Sequence, residues 1–307
     1  MEKDFYSKLS NMISAEQIKK DELLARHTTF RIGGPADYFV TVTDAQEAAE
    51  VVKLCSDMKV PYFLIGNGSN LLVSDKGYRG VIIKFTEKLC RVWTEEQSGY
   101  LVARAGAGAA LAQFAREVAR QKGAGFEFAA GIPGSVGGAI YMNAGAYGGE
   151  IKDHLTRARV MDSSGNVMKK ESGELGLSYR SSKLSAKGWY VLEAEFQFVL
   201  GNTDEIMQKI EELSMRRNLK QPLEYPSAGS TFKRPEGYFA GKLIMEAGLA
   251  GLRVGGAQVS EKHCGFIVNT GRATACDVMR LMHQVQKAVR EKFEIDLEPE
   301  IRLLGEL

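Results

Sequence analysis

Gly131-Ile132-Pro133-Gly134-Ser135-Val136-Gly137-Gly138 packs four glycines and a proline into eight residues. It lies inside a wider segment, Gly123 to Gly149, with nine glycines in 27 positions against 33 in all 307 residues. The enrichment has no regular period, so a collagen-type repeat is excluded. Glycine at this density marks tightly folded backbone brought close to another surface. From Phe128 to Gly149 no residue is charged for 22 positions, and Gly134-x-x-x-Gly138 matches a pattern of paired membrane helices. Seven glycines, Pro133 and Asn143 in the same segment make a poor helix. The expectation is a buried or ligand-covering loop, without membrane insertion.

A second glycine loop lies upstream. Gly66-Asn67-Gly68-Ser69-Asn70-Leu71 follows the apolar run Pro61 to Ile65, which reads as a strand. Two glycines let successive amides turn toward one point, an arrangement that suits phosphate oxygens, and Ser69 and Asn70 add side-chain donors. A plain turn would read the same way from spacing alone. A dinucleotide needs backbone donors along its pyrophosphate and a close wall against its ring. The two loops together, with Asn143-Ala144-Gly145 after the second, point to a nucleotide cofactor. A third candidate is weaker. Gly106-Ala107-Gly108 opens a helix after a strand, but Leu111 stands where a Rossmann fingerprint needs its last glycine.

Around these loops the chain reads as mixed helix and strand. Residues 1 to about 25 read as helical and polar. Strands are expected at Ala36 to Val42, Gly80 to Lys84, Tyr100 to Ala105, Val254 to Val259 and Gly265 to Asn269. Asp44 with Glu47 resembles a capping box for a helix with Ala48, Val51, Val52, Cys55 and Met58 on one face. A further helix is expected over Leu111 to Gln121. Tyr190 to Phe198 alternates Leu192, Ala194, Phe196 and Phe198 against Glu193, Glu195 and Gln197, the pattern of a half-exposed antiparallel strand. Asn202 or Thr203 caps a helix, and Asp277 to Phe293 forms another with Val278, Leu281, Met282, Val285 and Val289 inward. Strands followed by helices in this mix suggest an α+β fold.

Composition narrows the function. With 40 basic against 38 acidic residues the net charge is +2, which speaks against a nucleic-acid surface. Cys55, Cys90, Cys264 and Cys276 form no C-x-x-C pair, and the four histidines show no metal-ligand spacing, so neither disulfides nor a metal are expected. The start Met1-Glu2-Lys3-Asp4 lacks an apolar signal core, and a reducing, cytoplasmic setting is expected. Three short motifs stand apart: Leu177-Ser178-Tyr179-Arg180-Ser181-Ser182, Ala228-Gly229-Ser230-Thr231-Phe232-Lys233 and Leu297-Glu298-Pro299-Glu300-Ile301-Arg302. Each alone also fits a surface arginine, a serine in a turn or a capping carboxylate.

Thr29-Phe30-Arg31-Ile32-Gly33-Gly34, the two glycine loops, Ala228-Gly229-Ser230 and Leu297-Glu298-Pro299-Glu300 occur in the order found in UDP-N-acetylenolpyruvoylglucosamine reductases. The chain resembles that family from about Thr28 to Leu304. The resemblance implies a flavin-binding fold of the vanillyl-alcohol-oxidase type, two α+β subdomains holding FAD, and a smaller C-terminal domain closing over a UDP-sugar. It implies boundaries at 1–27 for an N-terminal helical segment, 28–200 for the FAD-binding domain (split near 86), 201–226 for a helix and linker, and 227–307 for the substrate domain. Its implied activity is reduction, by NADPH through non-covalent FAD, of the enolpyruvyl ether of UDP-N-acetylglucosamine enolpyruvate in peptidoglycan synthesis.

By the same resemblance, Arg180 stabilises charge on the substrate carboxylate, Ser230 donates a proton and Glu300 assists as a protonated carboxyl. The cofactor contacts fall on Gly66 to Leu71, on Gly131, Ile132, Pro133, Gly134, Ser135, Gly137 and Gly138, and on Asn143, Ala144 and Gly145. Arg217, Lys220, Lys233 and Arg234 are implied near the UDP-sugar, although Arg217 and Lys220 also suit a helix C-terminus. Only ten residues separate Arg180 from Val191, and Phe232 to Lys242 is short. The chain thus resembles the compact branch, which lacks an extra tyrosine-bearing segment. Two other readings compete: an oxidase of the same fold acting on an alcohol or sugar, and a non-catalytic nucleotide-binding module. The first loop carries no His or Cys for covalent flavin attachment, which favours the reductase reading.

Overall fold

The computed structural model describes residues 2–306. In chain order the elements begin with α1 (Glu2–Met12), β1 (Ile18–Leu23), β2 (Pro35–Val42), α2 (Ala45–Asp57), β3 (Tyr62–Ile65), β4 (Leu71–Val73) and β5 (Tyr78–Phe85). They continue with β6 (Val92–Gln97), β7 (Tyr100–Gly106), α3 (Leu111–Arg120), α4 (Val136–Tyr141), β8 (Gly145–Ala146), β9 (Gly149–Glu150), β10 (Leu155–Met161) and β11 (Val167–Glu171). The last are α5 (Leu184–Lys187), β12 (Tyr190–Val199), α6 (Thr203–Lys220), α7 (Ala240–Glu246), β13 (Arg253–Val254), β14 (Ala257–Val259), β15 (Ile267–Asn269), α8 (Ala275–Phe293) and β16 (Arg302–Leu304). Two compact units result. One takes the residues up to Lys20, Tyr38–Asn67 and Gly80–Arg216; the other takes Asp21–Asp37, Gly68–Arg79 and the chain from Arg217 onward.

The first unit holds two cores. A sheet of order β1-β2-β5-β3 packs Tyr38, Val40, Val42, Val81 and Ile83 against Val51, Val52 and Cys55 of α2 and Phe5 and Leu9 of α1. Asp44 caps α2 by accepting from Gln46 N–H and Glu47 N–H at 3.0 and 3.1 Å. The expected box is only half formed, because Glu47 reaches back to Thr43 N–H at 2.8 Å. The antiparallel sheet β11-β10-β12-β7-β6 has β12 at its centre. Ala194, Phe196 and Phe198 point into the second core with Leu111, Phe114, Ala115 and Val118 of α3, and Phe114 and Phe196 meet with ring centroids 5.0 Å apart. The alternation read in the sequence is thus the buried face of this strand, except that Leu192 packs into the first core instead.

The second unit is built on the three-stranded sheet β13-β14-β15, with α8 laying Val278, Leu281, Met282, Val285 and Val289 on its core. α8 begins two residues before the expected Asp277, because Thr274 and Asp277 form the capping box. The expected single strand Val254 to Val259 is a hairpin. Gly255 turns with φ +55° at a point where a Cβ would lie 2.4 Å from the Asp277 carboxylate, so only glycine fits. Two further corrections concern the first unit. Residues 18–23, expected as helix, are β1. The glycine-dense segment is less irregular than expected: it contains a 3-10 turn at Glu127–Gly131, then α4 and the β8–β9 hairpin. Gly134 and Gly138 therefore straddle the start of a six-residue helix. No described helix is long and apolar enough to cross a membrane.

Candidate active site and cofactor loops

In the first unit the glycine loops are pressed against each other. A Cβ on Gly66 would lie 2.2 Å from Ser135 Oγ, and one on Gly137 would lie 2.8 Å from Ala107 Cβ. Ser135 Oγ accepts from Gly138 N–H at 3.2 Å as the cap of α4. The Gly106-Ala107-Gly108 segment supports this wall: Gly137 N–H donates to Ala107 C=O at 2.8 Å, Val136 N–H to Ala109 C=O at 2.9 Å and Leu111 N–H to Gly134 C=O at 2.9 Å. Bare backbone packed this closely leaves Gly66 and the Gly131–Gly134 stretch, with Ile132 half-buried and Pro133 exposed, as a surface of peptide groups. Such a surface fits the pyrophosphate and flat ring of a flavin dinucleotide. Asn67, at the end of this unit's share of the first loop, is exposed.

Arg180 is at the tip of a two-residue turn closed by reciprocal Ser178–Ser181 backbone bonds of 3.0 and 3.1 Å. Its φ is +51°, a conformation that costs a non-glycine residue roughly 1–3 kcal/mol and that clusters at functional positions. Its Nη2 donates to Gly145 C=O at 3.0 Å. Asn143 is fully buried and fixes the same corner. Its Nδ2 donates to Glu150 Oε2 at 3.0 Å and Ser178 C=O at 3.1 Å, and its Oδ1 accepts from Lys152 N–H at 3.0 Å. The Lys152 hydrogen bond holds the Glu150 carboxyl below its usual range against the effect of burial, with the Asn143 amide and the Arg180 charge helping. Ala144 N–H donates to Ala139 C=O at 2.8 Å, tying the corner to α4.

The second unit brings Ser230 and Glu300 onto neighbouring segments. Phe232 bridges Pro299, Glu300 N–H donates to Thr231 C=O at 2.8 Å and Lys233 N–H donates to Glu298 C=O at 2.8 Å. Thr231 is buried and also anchors on the far side, its N–H donating to Gly265 C=O at 2.8 Å and its Oγ1 accepting from Ile267 N–H at 3.0 Å. Gly68 turns with φ +60° directly over the His27 carbonyl, where a Cβ would lie 2.2 Å from the oxygen. Ser69 and Asn70 are half-buried, and Leu71 is buried in β4 opposite Arg302. Thr29 Oγ1 donates to Ser227 C=O at 2.7 Å, and Asn269 Nδ2 donates to Phe30 C=O at 3.1 Å. The Thr29–Gly34 motif is therefore scaffolding for the serine segment.

The candidate UDP contacts scatter within this unit. Lys233 pairs with Glu298, and the Arg234 guanidinium lies 4.5 Å from the Phe239 ring centroid. Arg217 and Lys220 sit in the last turn of α6, where Lys262 Nζ also donates to Asn218 C=O at 2.8 Å. His263 was not singled out in the sequence. It packs edge-on to Phe266, and its Nδ1 accepts from Gly265 N–H at 3.1 Å. Burial pushes its pKa below the usual value, and the nearby Lys220 charge adds to the effect. Thr231 and Asp75, whose carboxylate accepts from Ala275 N–H and Cys276 N–H, were missed as well. Their partners are far away in sequence, and no local pattern signals them.

The FAD binding domain family matches residues 36–170, and the domain family described as UDP-N-acetylenolpyruvoylglucosamine reductase, C-terminal domain, matches residues 221–304. Together with the α+β architecture, these make the chain an FAD-dependent oxidoreductase of the vanillyl-alcohol-oxidase-type fold. More narrowly, it belongs to the UDP-N-acetylenolpyruvoylglucosamine reductase family. A reductase of that name from Lachnoclostridium phytofermentans is 56% identical over 97% of this chain and 96% of its own, and one from Clostridium perfringens is 49% identical over 98% of both. The crystal structure of the reductase from Thermus caldophilus has 36% identity and a TM-score of 0.80, covering 94% of this chain and 100% of that one. At 13% identity and a TM-score of 0.50, a single-site variant of Phl p 4, a glucose dehydrogenase, shares the fold over 95% of this chain and 63% of its own.

Proposed function

We propose that the chain catalyses the NADPH-dependent reduction of the enolpyruvyl ether of UDP-N-acetylglucosamine enolpyruvate to UDP-N-acetylmuramate, in the cytoplasm, as a step of peptidoglycan synthesis. Residues 28–200 are assigned to the flavin and 227–307 to the UDP-sugar. When bound, FAD supplies the hydride chemistry, taking a hydride from NADPH and passing one to the terminal enol-ether carbon. The remaining work belongs to the side chains. As that carbon gains hydride, its neighbour becomes carbanion-like and negative charge builds on the conjugated carboxylate. Arg180, permanently charged and able to bond in two places, stabilises that carboxylate. Ser230 donates its hydroxyl proton to the carbanion-like carbon. Glu300 donates a further hydrogen bond from a protonated carboxyl.

The observation that carries the proposal is the pairing of residues 231–233 with 298–300, which sets the proton donor and the carboxyl on adjacent segments. The glycine contacts of Gly66 and Gly137 support flavin held by backbone alone, without a covalent link. Arg217, Lys220, Lys233 and Arg234 are assigned to the UDP moiety. Rapid-mixing absorbance tests the whole scheme. NADPH should bleach the flavin under anaerobic conditions, and the enolpyruvyl UDP-sugar should restore its colour. Flavin that NADPH leaves oxidised, with oxygen consumed on simple alcohols, would assign the chain to the oxidases instead.

A further inference from the structure

Glu300 is held by a residue outside its own segment and outside the serine motif. β4 and β16 pair in parallel, with Leu71 opposite Arg302. The ladder runs one rung further, because Arg302 N–H donates to Asn70 C=O at 2.8 Å. In a parallel pair the same residue would next donate its own N–H to the carbonyl two positions earlier on the partner strand. That carbonyl belongs to Glu300. The bond comes instead from the side chain: Asn70 Nδ2 donates to Glu300 C=O at 3.1 Å. The amide stands in for the main-chain N–H, and the backbone of residue 70 turns away from the ladder into the glycine loop.

On the opposite side, Glu300 N–H donates to the carbonyl of Thr231. Both main-chain polar groups of Glu300 are thus fixed. One is fixed by the residue after Ser230, the other by the last polar residue of the Gly66–Asn70 loop. A side chain whose backbone is pinned at both ends has little freedom to drift, which is what a reacting carboxyl needs.

We propose that Asn70 is a positioning residue for Glu300, coupling the glycine loop to that carboxyl group through its side-chain amide. The inference rests on the role given to Glu300 above. Asn70→Ala removes the donor. Asn70→Asp keeps the shape but turns a second acceptor toward the Glu300 carbonyl. In the full-length flavin-loaded protein both half-reactions are read per bound flavin, because Asn70 also belongs to the loop expected to hold the cofactor, and reoxidation should fall by more than reduction by NADPH. Reoxidation by the enolpyruvyl UDP-sugar should slow by about 10- to 100-fold, the effect of a roughly 1 Å misplacement, and Asp should do at least as badly as Ala. Without substrate, both variants should show faster hydrogen exchange over residues 298–304.

Parental reoxidation and parental exchange would overturn the proposal. So would loss of flavin with an unchanged reoxidation rate per bound flavin, since Asn70 would then serve the loop alone. An equal fall in both half-reactions would make its role merely structural. A parent protein that NADPH or the UDP-sugar leaves unchanged would sink the functional assignment instead. Exchange over 298–304 would still decide whether Asn70 holds the Glu300 segment.

Discussion

Ser230 is a weak acid, and the proton-donor role proposed for it makes sense only toward a strongly basic partner such as a carbanion-like carbon. Its place in the structure favours that use: it is half-buried and immediately precedes a residue tied by three hydrogen bonds to two separate segments. Ser230→Ala should therefore leave flavin reduction by NADPH intact and slow reoxidation by the UDP-sugar about 100-fold or more. Equal slowing of the two phases in rapid-mixing traces would remove Ser230 from the chemistry. Gly66 makes a different kind of point. A methyl group there must displace Ser135 Oγ, which caps α4. Gly66→Ala should weaken flavin retention on a desalting column. It should also lower the stability of the flavin-free protein by about 1 kcal/mol, the usual value of a helix cap, as read by urea unfolding. Unchanged flavin content would refute the claim that this packing shapes the cofactor surface.

The elements most legible in the sequence were those in which burial dictates the pattern. β12 alternates because one of its faces meets the phenylalanine core, and α8 repeats because one stripe lies on the second-unit sheet. β1 was misread because Lys19, Lys20, Asp21 and Glu22 carry helix-compatible, polar side chains, and pairing within the four-stranded sheet overrides that preference. β6, β10 and β11 went unread as well. β6 and β11 are the two edges of their sheet, largely exposed, and little apolar signal marks them. At the candidate site, glycine spacing marked the loops, and short motifs together with the family resemblance marked Arg180, Ser230 and Glu300 as candidates. Thr231 and Asn70 act through main-chain carbonyls distant in sequence, which no spacing reveals. Asp44 shows what a legible local signal is worth. Its carboxylate takes two N–H groups at the start of α2, so Asp44→Ala should cost roughly 1 kcal/mol in urea unfolding. A neutral result would mean that Glu47, bonded to Thr43 N–H, holds the helix start alone.

For the molecule as a whole, the titrating groups set the response to acid, and they divide into two windows. Burial, with help from the Lys220 charge, lowers the pKa of His263 in the folded chain. The unfolded chain therefore takes up a proton first, near the ordinary value of about 6.5, and stability falls as pH drops below that point. The carboxylates act lower on the scale. Asp44 is held down first by the Glu47 N–H, and Glu150 first by the Lys152 ammonium. At Glu195 burial pushes upward but is outweighed by Arg104 and Arg157; at Asp277 burial is outweighed by the Thr274 and Gly256 N–H groups. Their stabilisation is present above the ordinary carboxyl range near 4 and is lost as pH falls through the depressed folded values. Melting temperature should thus decline in two stages, a shallow one below about pH 6.5 and a steep one below about pH 4. His263→Asn keeps an acceptor for Gly265 N–H and removes the titrating ring. It should flatten the upper stage and leave the lower one in place. A variant that declines as steeply as the parent between pH 7 and 5 (order-of-magnitude bounds around the histidine value) would show that the upper stage belongs to another group.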